Sequence, residues 1–146
     1  MTDKLKRLLG VDLGAARTGL ARSDDLGMYS VGLGNIKSYD LDKAALKVAE
    51  KAEEINADII IIGKPVNMNG TLGEKAQLCE QFGQKVSKFT KIPIDFFDER
   101  LTTVEAHRIL GESGIRAKNR KNIVDSLSAE IILQGYMDML KNKNSK

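Results

Sequence analysis

The spacing of apolar positions changes once along the chain, near Leu41. Before it, short apolar runs at 7–13, 18–23 and 29–36 are separated by glycine-bearing turns, which predicts three strands in an antiparallel meander. After it, Leu41, Ala45, Val48, Ala52 and Ile55 recur on one helical stripe, with Lys43, Lys47, Glu50, Lys51 and Glu54 largely opposite. The run DIIII at 58–62 is continuous, the mark of a strand covered on both faces. A glycine- and asparagine-rich loop follows, GKPVNMNG at 63–70. Ala76, Cys79, Gly83 and Val86 then predict a second helix, and IPIDFF at 92–97 another strand. Residues 58–97 therefore form a β-α-β unit, right-handed and parallel, whose strands open their C-terminal ends on the same side. A third helix is predicted from near Thr102, where Thr-Thr-x-Glu resembles a capping box. A basic loop, a long helix from about Lys121 to Leu140 and a frayed tail at 141–146 complete the chain.

That order predicts an α/β protein: a mixed five-stranded sheet, strand one central, with helices on both faces. It is the order of the ribonuclease-H-like fold. No repeat, linker or break in composition divides the 146 residues, so one domain spanning 1–146 is expected. A net charge of +3 permits a nucleic-acid partner without histone-like charge density. The single cysteine, Cys79, excludes an internal disulfide and a cysteine-based zinc site; it falls on an apolar stripe and reads as a core residue. The single histidine, His107, argues against a Ser–His triad and His-rich metal sites. No segment approaches the ~20 apolar residues of a membrane span, and the N-terminus lacks a signal-like apolar core. A soluble cytoplasmic protein without a membrane partner is the expectation.

Acidic residues stand where a core should be apolar. In LLGVDLGAARTGLARSD, Asp12 interrupts a strand-like run. An unpaired buried polar group costs ~2–7 kcal/mol and an unpaired charge more, so Asp12 needs a partner. Asp98 and Glu99 end the last strand in FFDERLTT, and Asp125 shares a helical face with Ala129, Ile132 and Tyr136. The predicted fold can bring these positions to one sheet edge. Converging carboxylates repel one another, and a hard cation such as Mg²⁺ or Mn²⁺ neutralises them with oxygen ligands. Such ions serve phosphodiester cleavage.

Four segments carry a resemblance. GVDLGAARTGLA (10–21), GKPVNMNGT (63–71), DERLTTVEAHRIL (98–110) and IVDSLSAEIILQGYMD (123–138) resemble the signature blocks of the YqgF/RuvX family, in order and over nearly the whole chain. These are Holliday-junction-resolvase-like bacterial proteins. The resemblance implies a ribonuclease-H-like fold and a metal-dependent endonuclease that processes the 5′ end of pre-16S rRNA during ribosome biogenesis. It also implies Asp12, Glu99 and Asp125 as the catalytic, metal-binding triad for Mg²⁺ or Mn²⁺. Related resolvases place their second carboxylate after the preceding strand; here Gly63-Lys64-Pro65 stands there, and Glu99 takes the role. The chain departs from the family's usual pattern at Ala16, Lys64 and Asn69, none of them a triad acid.

Candidate substrate contacts surround the acids: Arg17, Arg100, Lys64, Asn67, and in RAKNRK Arg116, Lys118, Arg120 and Lys121. Phosphate contacts of this kind give salt-dependent binding of low sequence specificity. Pre-rRNA is the expected partner, with the chain a monomer or weak homodimer. The rival readings are a Holliday junction resolvase acting on branched DNA and a non-catalytic RNA-binding assembly factor. Asp-Leu-Gly-x-x-x-Thr-Gly also resembles the first phosphate loop of the actin, Hsp70 and sugar-kinase superfamily. Those proteins need a second domain and a second such loop, and neither is found in this sequence.

Overall fold

The computed structural model describes residues 6–65, 73–99 and 120–144, with the backbone alone at 120–125 and 143–144. The helix expected near Thr102, and Asn67, Arg100, His107, Arg116 and Lys118, lie outside the described residues.

Five strands form one sheet: β1 (Leu8–Asp12), β2 (Arg17–Ser23), β3 (Ser30–Lys37), β4 (Ile59–Lys64) and β5 (Ile94–Asp98), in the order β3-β2-β1-β4-β5. The first three pair antiparallel, while β4 is parallel to both β1 and β5. The sheet is thus mixed and β1 central, as the change of period at Leu41 predicts. Three helices are described: α1 (Leu41–Glu54), α2 (Glu74–Ser87) and α3 (Arg120–Asn144). Asp40 starts α1 by accepting from the backbone N–H groups of Asp42 at 2.9 Å and Lys43 at 3.3 Å, which satisfies two otherwise orphan donors.

The alternation of side chains divides the core between the two faces. On one face Leu9, Val11, Leu20, Ile60 and Ile62 meet Ala45, Val48 and Ala52 of α1 and Cys79, Phe82 and Val86 of α2. On the other Leu8, Ala21, Ile61 and Phe97 meet Ala129, Ile132, Leu133, Tyr136 and Met137 of α3. Ile60, Ile61 and Ile62 are each 0% exposed, so the continuous apolar run is covered on both sides. Helix α3 lies close against glycine. A Cβ on Gly10 would sit 2.8 Å from the Leu133 Cβ, and one on Gly63 would collide with Ile132.

Three expectations are corrected. Strand β4 continues through Gly63 and Lys64, which the sequence reading placed in a loop, because these residues pair with Phe97 and Asp98 of β5. The tail expected to fray is helical as far as Asn144, since α3 runs on beyond its buried stretch. The backbone of Arg120, expected in the basic loop, is helical. Among the described residues no helix is long and apolar enough to cross a membrane.

Candidate active site

Because β1, β4 and β5 run parallel, their C-terminal ends share one edge, which receives Asp12, Lys64 and Asp98. Ligands of open α/β sheets collect at such an edge. Alternation then sorts the side chains. Leu8 and Gly10 lie against α3 and Leu9 and Val11 against the other helices, so Asp12 belongs to the α3 side. In β5, Phe96 lies against Gly83 of α2, while Phe97 meets Tyr136 of α3 edge-on at 6.2 Å between ring centroids. Asp98 therefore falls on the α2 side, and Glu99 follows it just past the end of the strand.

Electrostatics brings the two acids within reach of each other. Burial raises the Asp12 carboxyl above its ordinary value, and the Lys75 charge pulls it partly back. Burial also raises Glu99; the negative charge of Asp12 adds to this, Lys75 opposes it, and Asp98 contributes least. Two carboxylates are thus close enough to repel, each already penalised for ionising.

Lys75 escaped the sequence reading because its residue type is common on helices. The available signal was its position in the first turn of α2, which opens at the C-terminal edge of a β-α-β unit. Cys79, one turn later, is 0% exposed. Burial pushes its thiol up to about 11, with Lys75 and Lys64 lowering and Glu99 and Asp12 raising it, so it lies beneath the acids as a neutral core group.

Among the other candidates, Lys64 is engaged within the fold. Its Nζ donates to Glu80 Oε2 at 2.9 Å and stands 5.3 Å from the Phe96 ring centroid. Arg17 opens β2 and is exposed at the same edge as Asp12, which pairs with Gly19 two residues further on. Asp125 lies in the backbone of α3 one turn before Ala129 on the stripe whose Ala129, Ile132 and Tyr136 are buried; its side chain is outside the described residues, as are those of Arg120 and Lys121.

A hard divalent cation suits this donor set: two partly buried carboxylates, mutually repelling, with oxygen ligands only. Among the described residues no group of three His, Cys, Asp or Glu side chains is gathered closely enough to hold a metal. The described part thus supplies two acids of the predicted triad.

Two solved structures share the architecture. Thermus thermophilus RuvC in complex with a Holliday junction substrate has a TM-score of 0.60 at 13% identity, covering 92% of this chain and 96% of that one. The Fowlpox virus resolvase bound to Holliday junction DNA has a TM-score of 0.53 at 14% identity, covering 92% and 98%. The molecule is a ribonuclease-H-like α/β protein with an acidic edge.

Its family follows from the sequence matches. Residues 6–139 match the family model RuvX, described as Holliday junction resolvase. The "Putative pre-16S rRNA nuclease" of Ruminiclostridium cellulolyticum is 48% identical over 141 residues, 95% of this chain and 99% of the relative. The protein of the same description from Clostridium beijerinckii is 39% identical over 137 residues, 94% and 99%. The chain belongs to the RuvX family.

Proposed function

We propose that this chain is a divalent-metal-dependent endonuclease that hydrolyses phosphodiester bonds in the precursor of 16S ribosomal RNA. The observation that supports the reading is the pair Asp12 and Glu99 at the C-terminal edge of the sheet, both raised by burial and Glu99 raised further by the Asp12 charge. A fold that keeps two repelling acids half-buried stores an unfavourable charge that a cation relieves. Family membership and the relatives' descriptions support nucleic acid as the substrate.

Asp12 and Glu99 would hold Mg²⁺ or Mn²⁺, with Asp125 as the third ligand. Supporting Asp125 is its place on α3: it shares a stripe with Ala129, Ile132 and Tyr136, which are buried against the sheet face that Asp12 ends. A bound ion of this kind activates water and stabilises the departing oxygen in phosphodiester hydrolysis. The chain's own residues do the rest. Asp12 and Glu99 must be ionised to serve, and the Lys75 ammonium favours that state. Arg17, exposed at the same edge, would meet a backbone phosphate, and Arg100, Asn67, Arg116, Lys118, Arg120 and Lys121 remain proposed contacts from the sequence. Lys64 would have to leave Glu80 to join them.

The test offers purified protein, with Mg²⁺ or Mn²⁺, matched pre-16S leader RNA, duplex DNA and four-way junctions. Metal-dependent cutting of the RNA, lost in Asp12→Asn and Glu99→Gln, is expected. Preferential cutting of the junction would turn the reading to a resolvase, which the family description favours as the second possibility. Metal binding without cutting of any substrate would leave a non-catalytic assembly factor.

A further inference from the structure

The opposite edge of the sheet carries a basic notch that the acidic site does not use. A cavity of about 220 Å³ is lined by Arg7, Leu8, Arg22, Ser23, Asp25 and Ile55, where β1 begins, β2 ends and α1 stops. Leu8 and Asp12 are the two ends of β1, so at ~3.3 Å per residue the notch lies about 13 Å or more from the acids.

Each guanidinium in the notch is anchored once. Arg7 Nη1 donates to the Ile55 carbonyl at 3.3 Å, and Arg22 Nη1 donates to the Ser23 carbonyl at 3.1 Å. A guanidinium has five N–H donors, so most of each fork is left over. Ion pairs elsewhere in the fold join Lys51 to Glu54, Lys64 to Glu80 and Lys85 to Asp42. Arg7 and Arg22 have no carboxylate within ion-pair distance among the described residues, although Asp25 lines the same cavity. Asp25 is the carboxylate that lines the cavity, and Asp58 stands beside it with its Oδ2 accepting from the Arg7 backbone N–H at 2.8 Å. The two forks are therefore the cationic groups of the notch, and that second carboxylate is already engaged by the backbone. The C-terminal carbonyls of α1 disfavour an anion here, but Arg7 already occupies that of Ile55.

We propose that the Arg7–Arg22 notch is a phosphate-binding site, distinct from the acidic edge. Planar guanidinium forks match phosphate oxygens two at a time, and the anchoring bonds hold them in place beforehand. The same chemistry recognises a backbone phosphate of bound nucleic acid or a free phosphate. Only the first of these sources rests on the nuclease reading.

The experiment uses the full metal-free chain in EDTA, so that it reports whether or not the protein cuts anything. Inorganic phosphate binding is measured by calorimetry against chloride at matched ionic strength, and binding of a short single-stranded RNA across a salt series. Arg7→Gln/Arg22→Gln should weaken phosphate binding by about tenfold or more, while Lys47→Gln, on the exposed face of α1, should not. Asp25→Asn removes the carboxylate without touching either anchoring bond and should tighten phosphate binding. This second variant keeps the test decisive if loss of the Arg7 bond to α1 compromises folding. RNA affinity falling with phosphate affinity, with a salt slope reduced by ~0.7 per lost contact, assigns the site to backbone phosphate. RNA affinity unchanged while phosphate affinity falls assigns it to free phosphate. Phosphate binding as in the parent for the folded double arginine variant, or unimproved by Asp25→Asn, overturns the proposal. Asp12→Asn should leave phosphate binding intact, which separates this site from the acidic edge.

Discussion

Asp12 and Asp42 are both aspartates at the margins of secondary structure, and their surroundings push them in opposite directions. Asp42, in the first turn of α1, takes a hydrogen bond from Lys85 of α2 at 2.8 Å, and that bond and charge hold its carboxyl below the usual range. Asp12, at the end of the central strand, is raised by burial and shares its surroundings with Glu99. The first is fully solvated and already matched to a partner within the fold. The second is placed where ionisation is costly, beside a like charge, with Lys75 opposing the shift. A carboxylate lowered by a partner within the fold is structural, whereas two carboxyls raised together are suited to a ligand that brings positive charge.

The sharpest way to break this comparison is to remove the acids one at a time. Asp12→Asn and Glu99→Gln should each lower metal affinity and cleavage by more than ~100-fold. Residues that only orient metal ligands already cost ~10–100-fold, and a ligand should cost more. Without metal both variants should melt no lower than the parent, because each substitution relieves repulsion. A metal-free loss of stability, with cleavage unchanged, would make Asp12 a structural group like Asp42.

The next effect is set by pH, and the two aspartates should differ in sign. Asp12 and Glu99 are raised in the folded state from ordinary values of 3.8 and 4.5, so the folded chain binds more protons than the unfolded one just above that range. Their ionisation therefore destabilises the metal-free protein at higher pH, and the penalty is relieved as pH falls through their raised folded values. Asp42 is lowered from 3.8, so its contribution is present above 3.8 and is lost on further acidification. Melting curves of the metal-free parent and of Asp12→Asn/Glu99→Gln between neutral pH and pH 4 test this. The double variant should lack the gain seen in the parent on mild acidification. Metal affinity should fall over the same interval, because the ligands must be ionised.

Lys75 should give a smaller change of a different kind. Lys75→Gln removes the cation that favours the ionised acids, so the pH at which metal binding sets in should move upward. At pH well above that point, the loss of a competing positive charge should tighten metal binding. Isothermal titration with Mn²⁺ at two pH values separates these effects, and no movement of the profile would remove Lys75 from the site. The smallest effect belongs to the reference pair. Asp42→Asn or Lys85→Gln should lower the melting temperature only slightly, since exposed ion pairs contribute little, and should leave cleavage unchanged.

Periodicity alone carried the sequence to the order of the described strands and helices. Its errors lie where an element ends by tertiary pairing. Gly63 and Lys64 look like loop residues by composition, yet β5 is there to accept them into the sheet. The acids were legible individually, because Asp12 breaks an apolar run, but the choice of Glu99 over Asp98 needed the family resemblance. In the structure Phe96 and Phe97 point to different helices, and Asp98 follows that alternation to the α2 side.

The sequence by itself determined the local periods, the central strand with its acid and the family blocks, because each is written in neighbouring residues. Tertiary structure decided which distant charges meet. Strand pairing sets Asp12 opposite Gly19, two residues past Arg17, the placing of α2 brings the Lys75 charge to both acids, and the Lys64–Glu80 pair occupies a cation that composition alone offered to substrate. Electrostatic energy depends on distance and burial, and neither is fixed until strands pair and helices cover them.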